Sequence, residues 1–286
     1  MRQLKTFWNA VYELYADSGF SMASAVAFAF VLSLFPFSIF LGAFAGYFGG
    51  EALAKRAVAQ LFQIVPTPVA SALEPEVMAV MGQSRFGLLT VGALIALFFA
   101  TSAIETLRAA LNTAYRVKET KNYFACVLQS SFLVLLSALG MLAIAWGVVV
   151  GPQVAARFKP TWLLWLADQG WTPFLIRYLI VFTIVAAQLL AYHLFLAAGR
   201  RTLRDVLPGV ALSIFLWVLT ANLFARWLQF NDYSRFYAGL TQLMIALVFF
   251  QLSAIIVILG AELNRGLAEV RARRAEQQMD ELTAAG

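Results

Sequence analysis

Six long apolar stretches run almost end to end through the chain, near Phe20–Phe48, Phe86–Ala103, Tyr123–Val150, Phe174–Ala198, Val206–Leu228 and Ala238–Ala261. A helix rises about 1.5 Å per residue, so crossing a hydrocarbon core of about 30 Å takes roughly 20 apolar residues. Each stretch reaches or approaches that length. The runs are continuous and do not alternate at a period of two, which favours helices over a barrel. The expected fold is all-α, a polytopic membrane protein with six transmembrane helices. The first run starts late, is too long for a signal segment and contains Pro36, so it reads as a retained helix.

Charge placement orients the bundle. Thirteen Lys and Arg residues fall on one side: Arg2, Lys5, Arg108, Arg116, Lys118, Lys121, Arg200, Arg201, Arg204, Arg265, Arg271, Arg273 and Arg274. Six fall on the other: Lys55, Arg56, Arg85, Arg157, Lys159 and Arg235. Arg177 and Arg226 lie inside spans, where long side chains snorkel to the interface. The positive-inside bias places both termini in the cytoplasm. The net charge of +6 is therefore mostly a topology signal. Membrane lipids are the expected partners, anionic headgroups first; nucleic acid is not, because no basic–aromatic platform is present. Self-association into a homo-oligomer is left open. A single cysteine, Cys126, excludes an intramolecular disulfide and a cysteine-based metal cluster.

Three units follow. Residues 1–17 form a cytoplasmic interfacial amphipathic helix, since Leu4, Phe7, Trp8, Val11, Tyr12 and Tyr15 share one helical face. Asp17 and Ser18 are cap residues before the first span. Residues 18–263 are the six-helix transmembrane domain. Within it, Ala54, Ala57, Val58, Leu61, Phe62 and Val65 make one helical stripe ended by Pro66-Thr67-Pro68. Val69, Leu73, Val77, Val80 and Met81 make a second. Together they read as an extracytoplasmic amphipathic helical hairpin after the first span, or as a re-entrant one. Trp162, Trp165 and Trp171 mark the outer interface. Residues 264–286 form a charged cytoplasmic tail, a solvated helix that frays.

Two helical faces carry chemistry. Thr101, Glu105, Arg108, Asn112 and Arg116 step by four, three, four and four residues, and Glu105 can pair with Arg108. Either the span leaves the membrane near Glu105 and this face is wet, or the face lines a pathway, as ionisable groups at membrane depth do. Gln251, Ile255, Ile258 and Glu262 make the second face; Glu262 would pair with Arg108 or Arg204, or gate a cytoplasmic vestibule. Pro36 kinks the first span near mid-membrane, beside a Gly42, Gly46, Gly50 stripe that permits close packing. Broken helices are also where transporters place substrate. The candidate pathway-lining or gating residues are Glu105, Arg108, Asn112, Gln251, Glu262 and Pro36. His193, the sole histidine, is a weaker candidate for a proton relay. Enzyme templates fail: there is no His/Cys/Asp ligand cluster, no Gly-x-Ser-x-Gly and no phosphate-binding loop, so no catalytic residue, metal or cofactor is expected.

Five segments occur in order: Ala23–Ala29 with Leu32-Ser33-Leu34-Phe35-Pro36, Leu111-Asn112-Thr113-Ala114-Tyr115, Leu207-Pro208-Gly209, Tyr233–Leu240, and Gly260-Ala261-Glu262-Leu263-Asn264. In this the whole chain resembles the YihY / virulence factor BrkB family of bacterial inner-membrane proteins. The resemblance implies a six-helix inner-membrane protein, usually described as a transporter, and carries over no catalytic residues. An older ribonuclease label attaches to that family, and nothing in these residues supports it. The functions left are a transporter or flippase-like protein for a lipid or other amphiphile, an ion- or proton-coupled antiporter titrating at Glu105 and Glu262, and a non-transporting envelope-integrity factor.

Overall fold

A computed structural model describes residues 2–33, 36, 86–149, 172–230 and 241–285. Every regular element among them is helical. They are α1 (Arg2–Ala16), α2 (Gly19–Ser33), α3 (Phe86–Ala114), α4 (Tyr123–Val149), α5 (Thr172–Ala191), α6 (Leu203–Phe230) and α7 (Thr241–Ala285), with a π-helical turn, Tyr192–Leu196, continuing α5. Five helices contain a stretch long and apolar enough to cross a membrane, and α1 with α2 passes the same test as a pair bent by 70°. The chain is a polytopic all-α membrane protein. The expected hairpin, the Gly42–Gly50 stripe and the three interface tryptophans lie outside the described residues, as does everything around Pro36, itself half-buried in a helical position.

Local chemistry sets the helix ends. Ser18 takes a left-handed φ of 59°, which breaks the chain between α1 and α2. α3 closes in a Schellman arrangement: Val117 N–H donates to Asn112 O at 2.9 Å and Arg116 N–H to Thr113 O at 2.9 Å. The left-handed position, usually glycine, is Arg116 at φ 53°. α6 starts on one half of a capping box, in which Asp205 Oδ2 accepts from Thr202 N–H at 3.0 Å, and from Thr202 Oγ1 at 2.7 Å as well.

α7 is the axis of the assembly; α6, α1 and α3 pack against it, α4 packs on α3, and α5 on α4. α2 joins through a Phe30–Phe250 ring stack at 6.1 Å and a hydrogen bond from Gln251 Nε2 to Ser24 Oγ at 2.9 Å. Gly209 of α6 and Gly260 of α7 bring the two backbones into contact. A Cβ on Gly209 would run into Gly260 O, and one on Gly260 would sit 2.8 Å from Gly209 O. Only hydrogen at both positions lets the backbones meet, the small-residue logic of membrane helix pairs. Outward faces carry bare Leu94, Phe98, Leu128, Phe132, Phe182 and Phe215, surfaces that suit hydrocarbon and not water.

The core lies at one end of the bundle, where Leu14, Val26, Ile104, Leu107, Leu111, Tyr115, Leu196 and Ile258 bury together. α1 belongs to that core. Its expected apolar face divides: Phe7 and Val11 pack inward, while Trp8, Tyr12 and Tyr15 stay exposed, and the face that is buried most deeply is set by Ala10 and Leu14, outside the expected stripe. Two spans outrun their apolar stretches. α3 continues past Ala103 to Ala114, and α7 runs unbroken through the tail to Ala285, exposed from Arg271 to Thr283.

Candidate functional site in the buried polar end of the bundle

Arg108 sits at the centre of this end, 3% exposed, its donors spread over three neighbouring elements. Nε donates to Glu105 Oε1 at 3.3 Å. Nη1 reaches Glu119 Oε2, Gln129 Oε1 and Leu196 O at 3.3, 3.2 and 3.1 Å. Nη2 reaches Cys126 O and Ser130 Oγ at 3.0 and 2.9 Å. A guanidinium carries five N–H donors in a planar fork, and here all of it is engaged. Arg108 thus stitches α3 to the loop after it, to α4 and to the π-turn. Asn112, one turn on, repeats the link: Ala198 N–H donates to its Oδ1 at 2.7 Å, and its Nδ2 faces Glu119 at 3.5 Å. Burial alone would raise the Glu119 carboxyl, but bonds from the Lys121 backbone, Asn112 and Arg108 outweigh it and hold it below the ordinary carboxylate value.

A second network crosses from α6 to the π-turn. Pro208 has no N–H and crowds the carbonyl a turn earlier, loosening α6 there. The next N–H, on Gly209, donates to Asn264 Oδ1 at 2.6 Å. That bond orients the amide, so Asn264 Nδ2 donates, to Val206 O at 3.1 Å and to the Tyr115 hydroxyl at 3.1 Å. The Tyr115 hydroxyl lies 2.7 Å from His193 Nδ1. With that hydroxyl as the donor, the imidazole is neutral and carries its hydrogen on Nε2. The ring is fully buried, and Nε2 has no hydrogen-bond partner among the described residues. Arg201 covers the other face of Tyr115, its guanidinium carbon 3.7 Å from the ring centroid. Burial pushes the Tyr115 phenol up to about 12, against the pull of Asn264 and Arg201, so it stays protonated.

A third cluster ties α1 down. Arg116 pairs with Glu13 and, at 3.3 Å, with Asp17. Arg265 pairs with Glu262 at 2.7 Å, with Glu269 at 2.8 Å and with Glu13 at 3.7 Å, and its Nε donates to Ala114 O at 3.0 Å. Glu262 is 1% exposed, and its Oε1 has no partner among the described residues.

Of the residues singled out from sequence, Glu105, Arg108 and Asn112 come together as one network on α3, and the Glu105–Arg108 pair forms. Arg116 leaves that face, because α3 ends at Ala114 and the chain turns left-handed. Glu262 meets neither Arg108 nor Arg204; Arg265 on its own helix is the partner. Asp17 is occupied by Arg116. Gln251 stands apart, bonded to Ser24 on α2. The sequence reading did not assign roles to Tyr115, Asn264, Glu119 and Arg265. A signal existed for three of them: Tyr115 and Asn264 lie in ordered segments that converge here with the one holding Gly209, and Arg265 stands one helical turn after Glu262.

A model of the virulence factor BrkB family matches residues 10–284. A protein of Bacillus subtilis (strain 168) described as ribonuclease-like, YfkH, is 27% identical over 267 residues, covering 91% of this chain and 94% of its own length. No solved structure matches the chain.

Proposed function

The chain belongs to the virulence factor BrkB family, and from that membership we propose that it is a multi-pass inner-membrane protein that moves a lipid or another amphiphile, as a transporter or flippase-like protein. One observation carries this reading. Charged and hydrogen-bonding side chains are buried between helices whose outer faces are bare apolar surface, and two of them, His193 and Glu262, retain an atom without a partner among the described residues. Ionisable groups held at such depth line substrate or ion paths. Lining or gating roles fall to Glu105, Arg108, Asn112, Gln251, Glu262 and Pro36.

The 13-to-6 Lys/Arg bias supports cytoplasmic termini. So does the packing, because α1, the loop after α3, the turn after α5 and the exit of α7 meet at one end. A proton-coupled antiporter is the second reading, favoured by the buried Glu262 carboxylate with its unpartnered oxygen. Reconstitution into liposomes with a fluorescent phospholipid analogue and a pH-sensitive dye separates the two. Protein-dependent lipid translocation, lowered in Glu105→Gln or Glu262→Gln, supports the first. Proton flux without lipid movement favours the second. Folded protein that moves neither would leave the envelope-integrity role.

We propose further that the protein does no covalent chemistry on its substrate; the engagement of Glu105, Glu119 and Glu262 by arginines supports this, because ion pairing makes them poor general acids. YfkH's description makes RNA the substrate to try. Purified protein should degrade RNA no faster than a mock preparation, with or without divalent metal. Turnover that co-purifies and disappears in His193→Ala or Glu105→Gln would restore the enzyme reading.

A further inference from the structure

A groove of about 220 Å³ opens at the same end, between the start of α6 and the exit of α7. Its lining is Pro208, Leu267 and Val270 with Thr6 of α1 beside them, and Arg204, Arg271 and Arg274 complete it as a basic rim. Asp205 partly neutralises the rim by pairing with Arg271 at 3.0 Å. Arg204 and Arg274 have no carboxylate partner among the described residues. Two free guanidiniums facing one largely apolar groove call for a compact anion carrying oxygen acceptors, and phosphate is the group that guanidinium forks bind best.

Depth identifies what carries the phosphate. Leu203 and Leu207 flank Arg204 on α6 and are 58% and 56% exposed, at the point where the span Leu203–Phe224 begins. Phe215 and Val218 extend the bare surface further along the same helix. The rim therefore stands at headgroup level with hydrocarbon-facing residues directly beside it, and exposed Trp8, Tyr12 and Tyr15 on α1 are of the kind that settles at that level. We infer that this groove is a binding site for the headgroup of an anionic phospholipid, with its acyl chains along the exposed face of α6. The site does not rest on the transport reading, since a resident lipid needs no translocation.

The test uses the purified full-length chain in neutral detergent, with dioleoyl phosphatidylglycerol and dioleoyl phosphatidylcholine added in parallel and retained lipid counted by native mass spectrometry. Phosphatidylglycerol should be retained in preference to phosphatidylcholine. Arg204→Gln/Arg274→Gln should weaken that retention about tenfold or more. Arg200→Gln/Arg273→Gln removes the same charge from exposed positions outside the groove and should change it less than about twofold. All four side chains are exposed, so the helices keep their packing, which circular dichroism checks. Equal losses in the two double variants would mean diffuse attraction and overturn the site. No preference for phosphatidylglycerol over phosphatidylcholine would also overturn it. If millimolar glycerol phosphate displaces the lipid and raises the thermal midpoint as much as the lipid does, the ligand is free phosphate and the lipid assignment fails.

Discussion

Arg108 has the most to lose from substitution. Its charge is buried, and its partners are two carboxylates, two side-chain oxygens and two carbonyls supplied by four stretches of chain. Removing Arg108 leaves the buried Ser130 hydroxyl and the Cys126 and Leu196 carbonyls without this donor, while Glu105 and Glu119, 26% and 22% exposed, keep some solvent, so the cost is about 1–3 kcal/mol. Arg108→Gln should accordingly lower the thermal midpoint and the membrane abundance together. Glu105→Gln separates structure from transport. It keeps an acceptor near Nε, so wild-type abundance with impaired translocation would place Glu105 on the pathway, whereas wild-type values for both would remove it. The same network predicts a pH effect. Glu119 has a depressed carboxyl value in the folded chain, so its contribution is present above the ordinary value of 4.5 and is lost as pH falls through the lower folded value. Detergent-solubilised protein should lose midpoint in that window, and Glu119→Gln should flatten the loss. An unchanged acid profile in Glu119→Gln would assign the loss to other carboxylates.

Between elements, contact depends on what is absent as much as on what is present. α6 and α7 meet at Gly209 and Gly260 because neither has a side chain, and the missing N–H of Pro208 lies beside the amide that Asn264 receives. The end of α3 uses the opposite device. Arg116 occupies a left-handed position that costs a residue with a Cβ about 1–2 kcal/mol, and its ion pairs to Glu13 and Asp17 offset part of that. Comparing two substitutions separates these effects. Arg116→Ala loses the pairs and keeps the strain, while Arg116→Gly loses the pairs and relieves it. The glycine variant should be the more stable by about 1 kcal/mol in denaturant unfolding. Equal stabilities would show that the turn is not strained.

For the molecule as a whole, the three connections and both terminal segments gather on one end, and that end holds most of the Lys and Arg. Reporter fusions after Arg201 and at the C-terminus should therefore both read cytoplasmic, and fusions near Pro66 and Trp165 extracytoplasmic. Opposite signals at either pair would break the six-span topology.

The polytopic all-α class was legible in the sequence because it depends on local quantities: the length of an apolar run and its lack of alternation. The Glu105–Arg108 pair was legible for the same reason, one turn of helix separating the two. The Glu262–Arg265 pair is equally local, one turn apart on α7, although it was not anticipated. What Arg108 binds beyond Glu105, and that Tyr115, His193 and Asn264 form one hydrogen-bonded chain, were decided only by tertiary structure. Tyr115 and His193 are 78 positions apart, and Tyr115 and Asn264 are 149 apart. Helical periodicity orients a side chain on its own helix and says nothing of the neighbour it faces. That neighbour was chosen here by the glycine contact that brings α6 onto α7 and by the turns that fold α1 and the α5 end back over α3.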